Sequence, residues 1–95
     1  MGDAAPQTTI DYAAYLALER ETDRKHEWFD GQVYAMAGAK PAHNVISART
    51  IGELVRLLGD RPCDVYTSDQ KIRVLATGLG TYPDALVVCG PAQFD

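Results

Sequence analysis

Ninety-five residues with a net charge of −4 suffice for one small domain. Hydrophobic residues at 46% and charged residues at 23% exclude a disordered, collagen-like or coiled-coil chain, and nine basic against thirteen acidic residues oppose attraction to a phosphate backbone. No apolar run reaches the ~18 residues of a membrane-spanning helix, and the first ten residues lack the basic start and apolar core of a secretory signal, so a soluble cytoplasmic protein is expected.

Residues 1–9 read as a flexible leader and residues 10–95 as a single domain. Thr8 or Thr9 is placed to cap a helix from about Ile10 to Glu21, with Tyr12, Tyr15 and Leu16 on one face. The stretch from Glu19 to Lys25 mixes both charge signs and reads as a solvated helix end and loop. Asp30-Gly31, flanked by Glu27-Trp28-Phe29 and Gln32-Val33-Tyr34, predicts a hairpin with a two-residue type I′ turn, because both turn residues accept positive φ. That turn fixes the register: Phe29 opposite Gln32, Trp28 opposite Val33, Glu27 opposite Tyr34. Trp28 should be substantially buried.

A second helix is expected from about Ala42 to Leu58, with Ile51, Leu54, Val55 and Leu58 as its apolar stripe and Gly59 ending it. Cys63 to Leu75 reads as a strand with an interruption near Ser68; Ile72 and Val74 point one way, and Asp69, Lys71 and Arg73 the other. Gly78 to Thr81 reads as a turn. The unbroken run Ala85 to Cys89 predicts a central strand covered on both faces. Because the chain finishes a few residues later, it is expected to stop before the fold is complete, and an uncovered strand would invite a second copy, hence a homodimer.

Cys63 and Cys89 lie far apart in apolar segments, which predicts two reduced thiols. A zinc site combining them with His26 and His43 is disfavoured, since none of the four keeps the short spacing usual for zinc ligands. Asp84 opens the apolar run, a costly place for a carboxylate unless it caps, turns or binds a cation. Glu27 and Asp69 are the other acids in strand-like segments. His43 and Asn44 lie at the start of the second helix, where a role in bonding nearby backbone competes with a functional one. Lys71 and Arg73 could meet phosphates, or form a solvated strand face that pairs with Asp69.

The runs Tyr15-Leu16-Ala17-Leu18-Glu19, Lys25 to Gly38, Pro41 to His43, Ser68-Asp69 and Tyr82-Pro83-Asp84-Ala85-Leu86-Val87-Val88-Cys89-Gly90-Pro91 together resemble the Uma family. These bacterial proteins are similar to restriction endonucleases of the PD-(D/E)XK superfamily. The resemblance implies an α/β (α+β) fold, a mixed sheet flanked by helices, with magnesium as cofactor and DNA as partner. It places the first acid of the signature at Asp84 and an upstream glutamate at Glu27, both as catalytic metal ligands, and matches His43 to a family histidine; His43, Asp69 and Lys71 are the accessory candidates. The family's following Glu-Val-Leu-Ser-Pro-like strand, and the lysine-bearing helix after it, do not occur here. A non-catalytic interaction module on the same fold is therefore the competing expectation.

Overall fold

The computed structural model describes residues 9–94. Apart from Thr9, the expected leader lies outside the described residues. The element order is α1 (Tyr12–Glu21), β1 (His26–Phe29), β2 (Gln32–Ala35), α2 (Pro41–Leu58), β3 (Cys63–Tyr66), β4 (Ile72–Val74), β5 (Leu79–Thr81) and β6 (Leu86–Cys89). This is an α+β fold. Its elements divide between two compact units, one holding α1, β1, β2, β4 and β5 and the other α2, β3 and β6. Every pairing among them is antiparallel.

In the first unit the sheet order is β2-β1-β5-β4. Asp30 and Gly31 adopt φ of 50° and 81°, so the turn closes with the expected register, Trp28 opposite Val33 and Glu27 opposite Tyr34. Helix α1 begins two residues later than predicted. Asp11, rather than a threonine, caps it by accepting a hydrogen bond from the Ala14 amide at 2.8 Å. Tyr12 and Tyr15 are the buried core residues, and their rings meet that of Trp28 at centroid distances of 5.3 and 6.5 Å. Trp28 itself is half-buried, its indole N–H donating to the Ile10 carbonyl at 3.0 Å.

The segment expected to be a turn, Gly78 to Thr81, instead supplies β5, which pairs with both β1 and β4. Gly80 makes this possible. A Cβ at that position would lie 2.9 Å from Tyr15 Cε2 and 3.1 Å from Tyr12 Cε1, so only a residue without a side chain lets the strand pass under the two rings. The expected long strand from Cys63 to Leu75 is in fact β3 and β4, which belong to different sheets. Arg73 stands opposite Gly80, and its guanidinium carbon sits 4.0 Å from the centre of the Tyr12 ring; the Lys71 ammonium lies 5.5 Å from the centre of the Tyr15 ring. The basic residues expected on a solvated strand face therefore cover the aromatic core.

In the second unit, α2 starts with Pro41 and ends at Gly59, whose φ of 54° and amide hydrogen bond, donated to the Val55 carbonyl, finish the helix. The helix packs on β3. Ile51, Leu54 and Leu58 are half-buried, whereas Val55, predicted on the same stripe, is exposed. Strand β6 pairs with β3 alone among the described residues, and its Val87 and Cys89 are exposed there. An apolar run reports strand propensity, not the number of neighbours. The β3–β6 register places Cys63 directly opposite Cys89, and the two form a disulfide, overturning the expectation of two reduced thiols. Antiparallel pairing brings together two cysteines that sequence separation had made look unrelated.

Candidate functional site

In the second unit, Asp84 lies just before β6 and His43 in the first turn of α2. The imidazole Nε2 is 3.2 Å from Asp84 Oδ1, and the side chains retain 47% and 67% of their exposure. Asp84 is thus a solvated carboxylate and pays none of the burial cost inferred for an acid at the mouth of a covered strand. His43 finds its partner across the unit in Asp84. Both groups can accept water or an incoming ligand on their open sides.

Glu27 belongs to the first unit. It shares a sheet face with Phe29 and Tyr34, and the alternation of strand side chains turns that face away from the one carrying Trp28. Its Oε2 accepts a hydrogen bond from the Thr81 hydroxyl at 2.5 Å, so β5, read as a turn from sequence, is what orients this carboxylate. Asp69 lies in the turn after β3, where its amide donates to Thr67 Oγ1 at 3.3 Å, and Lys71 is engaged with Tyr15 as described. The structure therefore joins His43 to Asp84, and Glu27 to Thr81. Among the described residues no group of three or more His, Cys, Asp or Glu side chains is gathered to hold a metal ion.

A further polar cluster was not foreseen. Glu19, assigned to a solvated charged stretch, has a side chain only 6% exposed. Its carboxylate accepts from the His26 amide at 3.2 Å and from the Tyr82 hydroxyl at 2.7 Å, and pairs with His26 Nδ1 at 2.7 Å. The Tyr15 hydroxyl donates to the His26 carbonyl at 2.5 Å. Burial, reinforced by the negative charge of Glu19, holds the Tyr15 hydroxyl far above the ordinary tyrosine range, and burial plus the bond to Glu19 does the same for Tyr82. All three donors converge on a carboxylate that has no open side, which makes the cluster a clamp between α1, β1 and the end of β5. The one available signal was that Glu19, His26 and Tyr82 each fall in a family-like run.

A family model described as "Uma2: Putative restriction endonuclease" matches residues 12–95. The chain belongs to this family. Two relatives from Synechocystis sp. (strain ATCC 27184 / PCC 6803 / Kazusa) are similar to it. The uncharacterised protein slr1290 is 39% identical over 88 residues, covering 93% of this chain and 46% of the relative; the uncharacterised protein sll1609 is 28% identical over 82 residues, covering 86% and 46%. The chain spans about half the length of these curated relatives. No solved structure matches it. No helix among the described residues is long and apolar enough to cross a membrane.

The donor chemistry can be tested against the magnesium ion that the Uma2 family implies. Mg²⁺ is held by one or two carboxylates, with waters and substrate phosphates completing an octahedron. Asp84, exposed and free to take water on its outer side, fits as one such carboxylate. A closed cage made of protein ligands alone does not fit, since the described residues gather no third ligand.

Proposed function

We infer that this chain supplies part of a metal-dependent centre for hydrolysing DNA phosphodiesters, with Asp84 as the divalent-cation ligand. The observation that carries the reading is the solvated Asp84 carboxylate at the entry to β6, held by His43, within a chain matched from residue 12 to 95 by a restriction-endonuclease family. The cation, when bound, would offset charge on the scissile phosphate and make a bound water more acidic. His43 limits the rotation of the Asp84 carboxylate and leaves its second oxygen open to an ion. The Glu27 carboxylate of the first unit, which accepts from the Thr81 hydroxyl, is the other acid that the family resemblance names. A non-catalytic interaction module is the second reading, favoured by the net charge of −4 and by the lack, among the described residues, of any cluster of three metal-ligating side chains.

The test is a titration of the chain with Mn²⁺, followed by paramagnetic broadening of backbone amide signals and run beside Asp84→Ala. Broadening centred on Asp84 and its neighbours, lost in the variant, supports the centre. Broadening that ignores the substitution rejects it. Cleavage of supercoiled plasmid by the chain alone with Mg²⁺ is expected near background, because a single exposed carboxylate does not hold water and phosphate in line. Robust cleavage abolished by Asp84→Ala would mean that a further acid, such as Asp69, completes the site.

A further inference from the structure

The His43–Asp84 pair has a geometry that a simple hydrogen bond leaves unused. Two donor atoms each about 2.1 Å from one ion lie about 3.0 Å apart at a right angle and about 3.4 Å apart at a tetrahedral angle. His43 Nε2 and Asp84 Oδ1 are 3.2 Å apart, between those limits. Both side chains are open to solvent, so an ion can enter from outside, and water can fill its other positions. The only other histidine, His26, also faces a carboxylate, but its Nδ1 is taken by Glu19, which is itself saturated by the His26 amide and Tyr82.

We propose that His43 and Asp84 form a bidentate imidazole–carboxylate site that selects a transition-metal dication of the Zn²⁺ class over Mg²⁺. The inference rests on the assignment of Asp84 as a cation ligand and adds His43 as its co-ligand. Imidazole nitrogen suits Zn²⁺ and related ions, whereas Mg²⁺ takes oxygen donors and keeps its waters. His43 therefore adds affinity as a direct ligand for the first class of ion, whereas for Mg²⁺ it only orients Asp84. Binding uses the Nε2 lone pair in the tautomer that carries its proton on Nδ1, so the ion takes the place of the hydrogen shared with Asp84. Cys63 and Cys89, joined in a disulfide, offer no thiolate to compete for the metal.

The experiment titrates the untagged chain with ZnCl₂ and with MgCl₂, reading heat by calorimetry and the ring signals of both histidines by NMR. Zn²⁺ should shift the His43 ring signals, leave those of His26 in place, and bind at least about tenfold more tightly than Mg²⁺. His43→Ala should weaken Zn²⁺ by more than the ~10-fold that removing an outer-sphere partner produces, and Mg²⁺, which loses only the orientation of Asp84, by clearly less, so that the ratio of the two affinities falls. Asp84→Asn should weaken both. Because both positions are exposed, circular dichroism of the variants should match the parent. If His43→Ala leaves the ratio of Zn²⁺ to Mg²⁺ affinity unchanged, or if Zn²⁺ moves His26 in place of His43, the selective site is overturned while Asp84 as a Mg²⁺ ligand stands. If Asp84→Asn leaves Mg²⁺ binding intact but abolishes Zn²⁺ binding, the nuclease reading falls and the transition-metal site survives.

Discussion

Replacing Gly80 by alanine tests the packing that builds the first unit. Two effects oppose each other. An alanine in a strand restricts the unfolded chain and, where it fits, stabilises by about 0.4–1 kcal/mol. Here the new methyl would lie 2.9 Å from Tyr15 Cε2 and 3.1 Å from Tyr12 Cε1, and forcing a methyl into a filled core costs about 1–3 kcal/mol. Tyr15 is fully buried and anchored through its hydroxyl to the His26 carbonyl, so its ring cannot swing aside without breaking that bond. The clash should win, with a net loss of about 1–2 kcal/mol. Urea unfolding followed by fluorescence reads this directly, because Trp28 is the single tryptophan and belongs to the same ring cluster. With a slope near 1 kcal/mol/M, the midpoint should fall by about 1–2 M. An unchanged or higher midpoint at the same slope would refute the argument that β5 needs a glycine to pass under the rings.

Glu19→Ala should destabilise the first unit by about 1–3 kcal/mol, since it leaves the Tyr82 hydroxyl and the His26 donors without their buried acceptor; a urea midpoint within error of the parent would contradict the clamp. Tyr15 and Tyr82 have folded pKa values raised above that of the unfolded chain, so their contribution to stability is fully present below about pH 10 and is lost as pH rises further. Tyrosinate absorbance should therefore show these two ionising together with loss of structure, and ionisation of both in the intact fold would refute the assignment. Reducing the Cys63–Cys89 disulfide, which closes a separation of 26 residues, should cost the second unit about 3–4 kcal/mol by the chain-entropy estimate. Intact mass without reductant should be lower by two hydrogens, and hydrogen exchange at Val65 and Val87 should quicken on reduction; protection unchanged by reductant would show that the cross-link contributes little.

What could be read in the chain itself was local. Asp30-Gly31 specified its turn and hence the Glu27, Trp28 and Phe29 register, because positive φ at two successive residues leaves few alternatives. Gly59 likewise ended α2, and Tyr12 and Tyr15 were legible as one helix face. Family membership was carried by short runs such as Tyr82-Pro83-Asp84, which also singled out Asp84. What could not be read depended on partners distant in sequence. Leu79-Gly80-Thr81 is a strand only because β1 and β4 pair with it and two rings from α1 need the empty space at Gly80. Cys63 meets Cys89, and His43 meets Asp84, across separations that no periodicity encodes. Glu19 looked solvated in its charged stretch, yet tertiary contacts buried it against His26 and Tyr82. Backbone turns and caps are decided by the conformational limits of single residues, whereas strand pairing, burial of a charge and the meeting of ligands are decided by which surfaces the whole chain brings together.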